Sequence, residues 1–169
     1  LDVCIIKMDA GLDSGDIVSK KNVGIKNQTY QEVASKTAQI GAELFLDLLP
    51  KIEQNNVFYE KQNHQLATFA KKISKDECLL DFSQTGEKLL AKILALSGCL
   101  GAYFVHNGEL IKILDADFIA CNHNQQIGEV AKNFAIYCQD GYILPKIVQK
   151  SGKKPANLKD FLLGYRLYK

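Results

Sequence analysis

The 169 residues suffice for one ordinary domain, or for a small domain plus part of another. A hydrophobic content of 47% supports a packed core and argues against disorder, and no apolar run approaches the roughly 20 residues needed to span a bilayer. The formal charge of +2 hides an asymmetry: residues 1–140 carry 14 Lys against 18 acidic residues, whereas 141–169 carry six Lys and Arg166 against Asp160 alone. A basic end on a neutral body points to a polyanionic partner; the alternative is a solvated lysine-rich tail.

The first apolar run, Val3-Cys4-Ile5-Ile6, predicts a buried strand over 2–8. It feeds Met8-Asp9-Ala10-Gly11-Leu12-Asp13-Ser14-Gly15-Asp16-Ile17, a loop rich in Gly and Asp. An α/β protein keeps its chemistry just beyond the carboxyl ends of its strands, which is where Asp13 falls. An Asp-Gly turn between two strands is the plain alternative. A calcium loop is disfavoured, because Gly11 breaks the alternating carboxylate series and a strand rather than a helix precedes it.

A second strand is expected near 16–25. Thr29 and Glu32 have capping-box spacing, and Val33, Thr37, Ile40, Leu44 and Leu48 recur at helical intervals. A helix should therefore run from about 30 into the high forties, kinked or ended by Pro50. Strand, loop, strand and long helix read as the closing part of an α/β domain. Residues 51–83 are polar and irregular and read as a linker. Ser83 or Thr85 can cap a following helix whose apolar face is Leu89, Leu90, Ile93, Leu94 and Leu96.

From about residue 99 the texture changes to short strand-like runs: 101–105, 110–114, 128–130, 134–138 and 142–144. His106-Asn107-Gly108 and Asp140-Gly141 supply turns. Such runs predict a small β-barrel. A short helix bearing Leu158, Phe161 and Leu162 and ended by Gly164 closes the chain. The five cysteines form no C-x-x-C pair, which disfavours a zinc site and fits a reducing, cytoplasmic setting in which most act as small core hydrophobes. His64, His106 and His123 read as surface residues.

Residues 8–17 resemble the M-D-x-G-L-D-T-G-D-I segment of methionyl-tRNA formyltransferases. The resemblance continues through Gln62 to Ile73, Ser74-Lys75, Leu80-Asp81-Phe82-Ser83 (Phe82 where the family has Trp), Gln149 to Lys154 and Asp160 to Gly164. Leu96-Ser97-Gly98-Cys99-Leu100-Gly101 departs from the aromatic- and Pro-rich entry that the family has to its barrel. The resemblance implies an α/β region followed by a β-barrel. Residues 1–60 would close a Rossmann-like catalytic domain, 61–96 would be linker and helix, and 97–169 an oligonucleotide-binding-type, tRNA-binding barrel.

It also implies transfer of a formyl group from 10-formyltetrahydrofolate to initiator methionyl-tRNA by a monomeric, metal-free enzyme with no membrane partner. Asp13 matches one of three catalytic residues. Met8, Asp9, Ala10, Gly11 and Leu12 would hold the folate, and Lys146, Lys150, Lys153 and Lys154 the tRNA. The other catalytic groups, an Asn and a His, belong to an N-terminal half that is not in this sequence. With no initial Met and an opening inside a strand, the chain reads as a fragment inactive alone. A non-catalytic RNA-binding module carrying a formyltransferase remnant is the second reading.

Overall fold

The computed structural model describes residues 1–165. They form two compact units, residues 1–26 with 32–72, and residues 27–31 with 73 onward.

In the first unit, β1 (Asp2–Ile6) and β2 (Ile17–Asn22) pair antiparallel, Asp2 opposite Asn22, with a register shift at Ile5/Ile6. Glu60 adds a bridge on β2: Ile17 and Glu60 exchange both backbone hydrogen bonds at 2.8 Å. The helix α1 spans Tyr30–Glu53, which puts Thr29 at its N-terminal boundary. Pro50 does not end it. Proline lacks an N–H and crowds the carbonyl one turn earlier, yet the Gln54 N–H still reaches the Pro50 carbonyl and the helix continues. The stop comes at Asn55, left-handed with φ 53°: the Asn55 and Asn56 N–H groups donate to the carbonyls of Ile52 and Lys51. That is a Schellman ending made by Asn instead of Gly.

In the second unit α2 (Gly86–Leu96) packs on a sheet of β3 (Ala102–His106), β4 (Glu109–Ala120), β5 (Ile136–Cys138), β6 (Gly141–Lys150) and β7 (Ala156–Asn157), and α3 (Leu158–Gly164) follows. The order is β3-β4-β6-β5 with β7 also on β6, every pair antiparallel. The sheet is open among the described residues, since β3 and β5 do not pair, so the small β-barrel expected takes the form of a curled half-barrel. The β3–β4 hairpin turns on Asn107 (φ 52°) and Gly108 (φ 77°), the two positive φ values of a type I′ turn.

Strands β4 and β6 are longer than their apolar runs predict. Asp115 and Asp117 look like loop residues in sequence, yet they lie within β4, opposite Ile147 and Leu144 of β6. Register shifts on both sides of Asp115 leave Leu114 and Lys146 outside the pairing. Pro145, which has no N–H for a ladder, sits fully buried beside that irregularity, the position in which a central strand tolerates proline. The expected strand at 128–130 is reduced to one bridge, Val130 to Ile136. A tight turn precedes β5, with Phe134 fully buried at φ 65°.

The core of this unit joins Leu89, Ile93 and Leu96 of α2 to Phe104, Ile111, Ile113, Ile136, Ile143 and Val148 of the sheet. The start of α2 is fixed from a distance. Thr85 occupies the N-cap without a side-chain bond, and the Gly86 N–H donates instead to Asp140 Oδ1 at 2.7 Å, from the turn between β5 and β6. A Cβ at Gly86 would enter the Phe118 ring. Gly86→Ala should therefore lower stability by about 1–3 kcal/mol, as overpacking does. Asp140→Ala should cost roughly 1–2 kcal/mol, as loss of a cap does. Both should appear as lower urea midpoints in circular dichroism.

Candidate functional site

The loop between β1 and β2 is closed at its base by the Lys7 N–H donating to the Asp16 carbonyl at 2.9 Å. The strands can meet there because residue 15 is glycine: a Cβ at that point would overlap the Lys7 carbonyl. Within the loop, Asp9 Oδ1 accepts from the Gly11 N–H at 2.9 Å and from Ser14 Oγ at 2.6 Å. The Ser14 hydroxyl first, then the Gly11 N–H, hold the Asp9 carboxyl below its ordinary range. Asp9 is thus an organiser of the turn.

Asp13 lies at the loop tip in the left-handed region, φ 55°, with its side chain exposed and without a hydrogen-bond partner among the described residues. Its backbone is held: Gln62 Nε2 donates to the Asp13 carbonyl at 2.9 Å and to the Gly15 carbonyl at 2.6 Å. Gln62 reaches the loop because Glu60, two residues earlier, pairs with Ile17 and takes both carboxylate oxygens to Lys20 Nζ at 3.0 Å. In sequence Gln62 looks like the first residue of a linker motif; nothing local signals its target 49 positions away. Met8 and Leu12 are open to solvent, 86% and 92% exposed, and offer apolar surface beside the polar turn.

The four candidate lysines fall into two pairs. Lys146 meets Asp117 at 3.0 Å and Asp115 at 3.3 Å, and the Asp117 bond chiefly raises its affinity for its proton. Lys150 meets Glu109 at 2.8 Å. Lys153 and Lys154 are exposed and have no side-chain partner among the described residues. The Lys153 N–H donates to the Lys150 carbonyl across a turn in which Gly152 has φ 72°. Arg166 and Lys169, which also contribute to the basic end, lie outside the described residues.

Two histidines are not surface groups. His106 is half-buried: Nδ1 lies 2.9 Å from the Tyr165 hydroxyl, and Phe104, Phe134 and Tyr165 surround the ring. Burial pushes its proton affinity down. His123 lies tilted against Tyr137, ring centroids 4.8 Å apart, and places Nε2 at 2.7 Å from the Cys138 carbonyl. His64 is exposed. Of the cysteines, only Cys78 and Cys138 are buried. Among the described residues no cluster of His, Cys, Asp or Glu could hold a metal, and no helix is long and apolar enough to cross a membrane.

Residues 72–166, the stretch that carries the half-barrel, match the formyl transferase C-terminal domain family. The chain belongs to that family. It is 34% identical over 169 residues to the methionyl-tRNA formyltransferase of Rickettsia massiliae (strain Mtu5), covering 99% of this chain and 55% of that protein. The chain thus spans about half the length of the curated relatives it matches. In fold it resembles HypX from Aquifex aeolicus in complex with tetrahydrofolic acid (TM-score 0.70, 14% identity, 94% of this chain and 29% of that one). It also resembles methionyl-tRNA formyltransferase from Clostridium thermocellum (TM-score 0.58, 19% identity, 88% of this chain and 55% of that one).

The Asp9 turn should be acid-sensitive. Its carboxyl titrates lower in the folded loop than the ordinary 3.8, so ionised Asp9 supports the loop fully above that value. The support is lost as pH falls below that value and through the lowered one of the folded loop. An NMR titration should show the Gly11 and Ser14 amides moving together below pH 3.8, and Asp9→Ala should abolish the transition.

Proposed function

We propose that this chain is the C-terminal part of an enzyme that formylates methionyl-tRNA from 10-formyltetrahydrofolate. The observation that carries the reading is the Asp13 loop, intact and held in a left-handed turn, on a chain similar over 99% of its length to a methionyl-tRNA formyltransferase. Residues 1–60 are the closing edge of the Rossmann-like catalytic domain, 61–96 the connection, and 97–169 the tRNA-binding domain, oligonucleotide-binding in type. The enzyme works in the cytoplasm, as a monomer, on the initiator tRNA.

Formyl transfer is an acyl transfer. The α-amino nitrogen of the methionyl ester attacks the formyl carbon, the carbonyl oxygen gains charge, and the nitrogen must lose a proton before the folate nitrogen leaves. Asp13 is the only group of this chain assigned to that proton. It orients a water or a His of the N-terminal half and eases transfer off the amine. The exposed side chains of Met8 and Leu12 suit a flat pterin ring, and the backbone of residues 8–12 offers it polar partners.

The tRNA phosphates meet Lys153 and Lys154 first, because these ammonium groups have no carboxylate to leave. Lys146 and Lys150 are shared with Asp115, Asp117 and Glu109, so a phosphate there has to compete with existing ion pairs. Lysine acts toward phosphate as a point charge without the paired geometry of Arg, so this surface recognises backbone shape and charge.

In the enzyme at full family length, Asp13→Asn should lower kcat by roughly 10² or more while tRNA binding changes little; near-parental turnover would remove Asp13 from the mechanism. Lys153→Ala with Lys154→Ala should weaken tRNA binding and reduce the slope of log K against log salt by about one to two units. Unchanged affinity and slope would make the basic end a solvated surface.

A further inference from the structure

The loop carrying Asp13 is secured in two halves by different groups. Asp9 gathers Gly11 and Ser14, and the Lys7–Asp16 bond closes the base. The arm from Asp13 to Gly15 is held at its carbonyls by one side chain, Gln62, whose Nε2 donates to both. Two carbonyl acceptors can be satisfied only by the NH2 end of the amide, so its two hydrogens are both committed. The Asp13 side chain has no partner of its own among the described residues, and its backbone is in the left-handed region, uncommon for a residue with a side chain though less so for Asp than for most. Where the carboxylate points is therefore set through the backbone.

From this we infer that Gln62 is the positioning residue for the Asp13 carboxylate: by clamping the carbonyls of residues 13 and 15 it keeps Asp13 left-handed and presented to the reaction. The inference rests on the reading of Asp13 as the catalytic carboxylate. Gln62 touches no reacting atom. The Glu60–Ile17 bridge, two residues away, gives the clamp its fixed base.

Three variants test it: Gln62→Ala removes both donors, Gln62→Glu presents a carboxylate to two carbonyls, and Asp13→Asn reports on the carboxylate itself. In the enzyme at full family length, Gln62→Ala should lower kcat about tenfold, the effect of losing two neutral hydrogen bonds, with KM for tRNA unchanged. Gln62→Glu should be at least as slow as the alanine variant at neutral pH, because an ionised carboxylate faces two carbonyls with no hydrogen to donate. In this chain, nitrogen-15 relaxation should show Asp13 and Gly15, whose carbonyls Gln62 holds, mobilised by Gln62→Ala while Asp9 to Gly11 stay ordered. An ordered Asp13–Gly15 arm in the alanine variant overturns the clamp, whatever Asp13 does. A mobilised arm with parental kcat overturns its catalytic relevance if Asp13→Asn is slow. If Asp13→Asn is also fast, the reading of Asp13 fails and Gln62 has no carboxylate to position.

Discussion

The offset between β4 and β6 around Asp115 shapes most of the second unit. Leaving Leu114 and Lys146 outside the pairing bends both strands and lets the sheet curl over α2 and the core. The same irregularity gives Pro145 a place in a central strand, where a regular ladder would ask for an N–H that proline lacks. It also places Lys146 within reach of Asp115 and Asp117, so two carboxylates in mid-strand are compensated. Beyond the offset the pairing resumes, and β6 runs on to Lys150, immediately before the turn that displays Lys153 and Lys154.

In the first unit the equivalent constraint is steric. Gly15 admits the Lys7 carbonyl where any side chain would exclude it, and that contact shuts the base of the loop. The base alone would leave a flexible tip. Asp9 and Gln62 divide that task, one using a charged acceptor from inside the loop, the other a neutral donor from a distant segment. The acidic residues of the loop therefore have unequal tasks: Asp9 is spent on structure, and Asp13 keeps its carboxylate free of internal bonds.

What was legible in the sequence had local causes. Asn107-Gly108 announces a hairpin because a type I′ turn demands two positive φ angles, and the spacing of Leu89, Ile93 and Leu96 announces the buried face of α2. The Asp13 loop was legible through its glycines and its place after an apolar run. What stayed hidden depends on partners distant in the chain. The second half of β4 looks like loop until Lys146 answers Asp115 and Asp117. Asp140 gives no hint that it caps a helix 54 residues earlier, nor Gln62 that it clamps a loop. His106 reads as a turn residue until Tyr165 and Phe134 close over it. A Schellman ending made by Asn55 in place of glycine, beyond a proline, hid the true end of α1.

Strand β4 pairs with β3 on one side and β6 on the other, and the two ladders differ in the chain they must close. Asn107 and Gly108 alone separate β3 from β4, whereas residues 121–140 lie between β4 and β6. The entropy of loop closure grows with the length enclosed, so the hairpin assembles early and cheaply. The β4–β6 ladder encloses the longer segment and must bring two long strands into a register containing an offset. The larger closure cost thus falls on the strands that meet around Pro145, and the smaller on the hairpin tip.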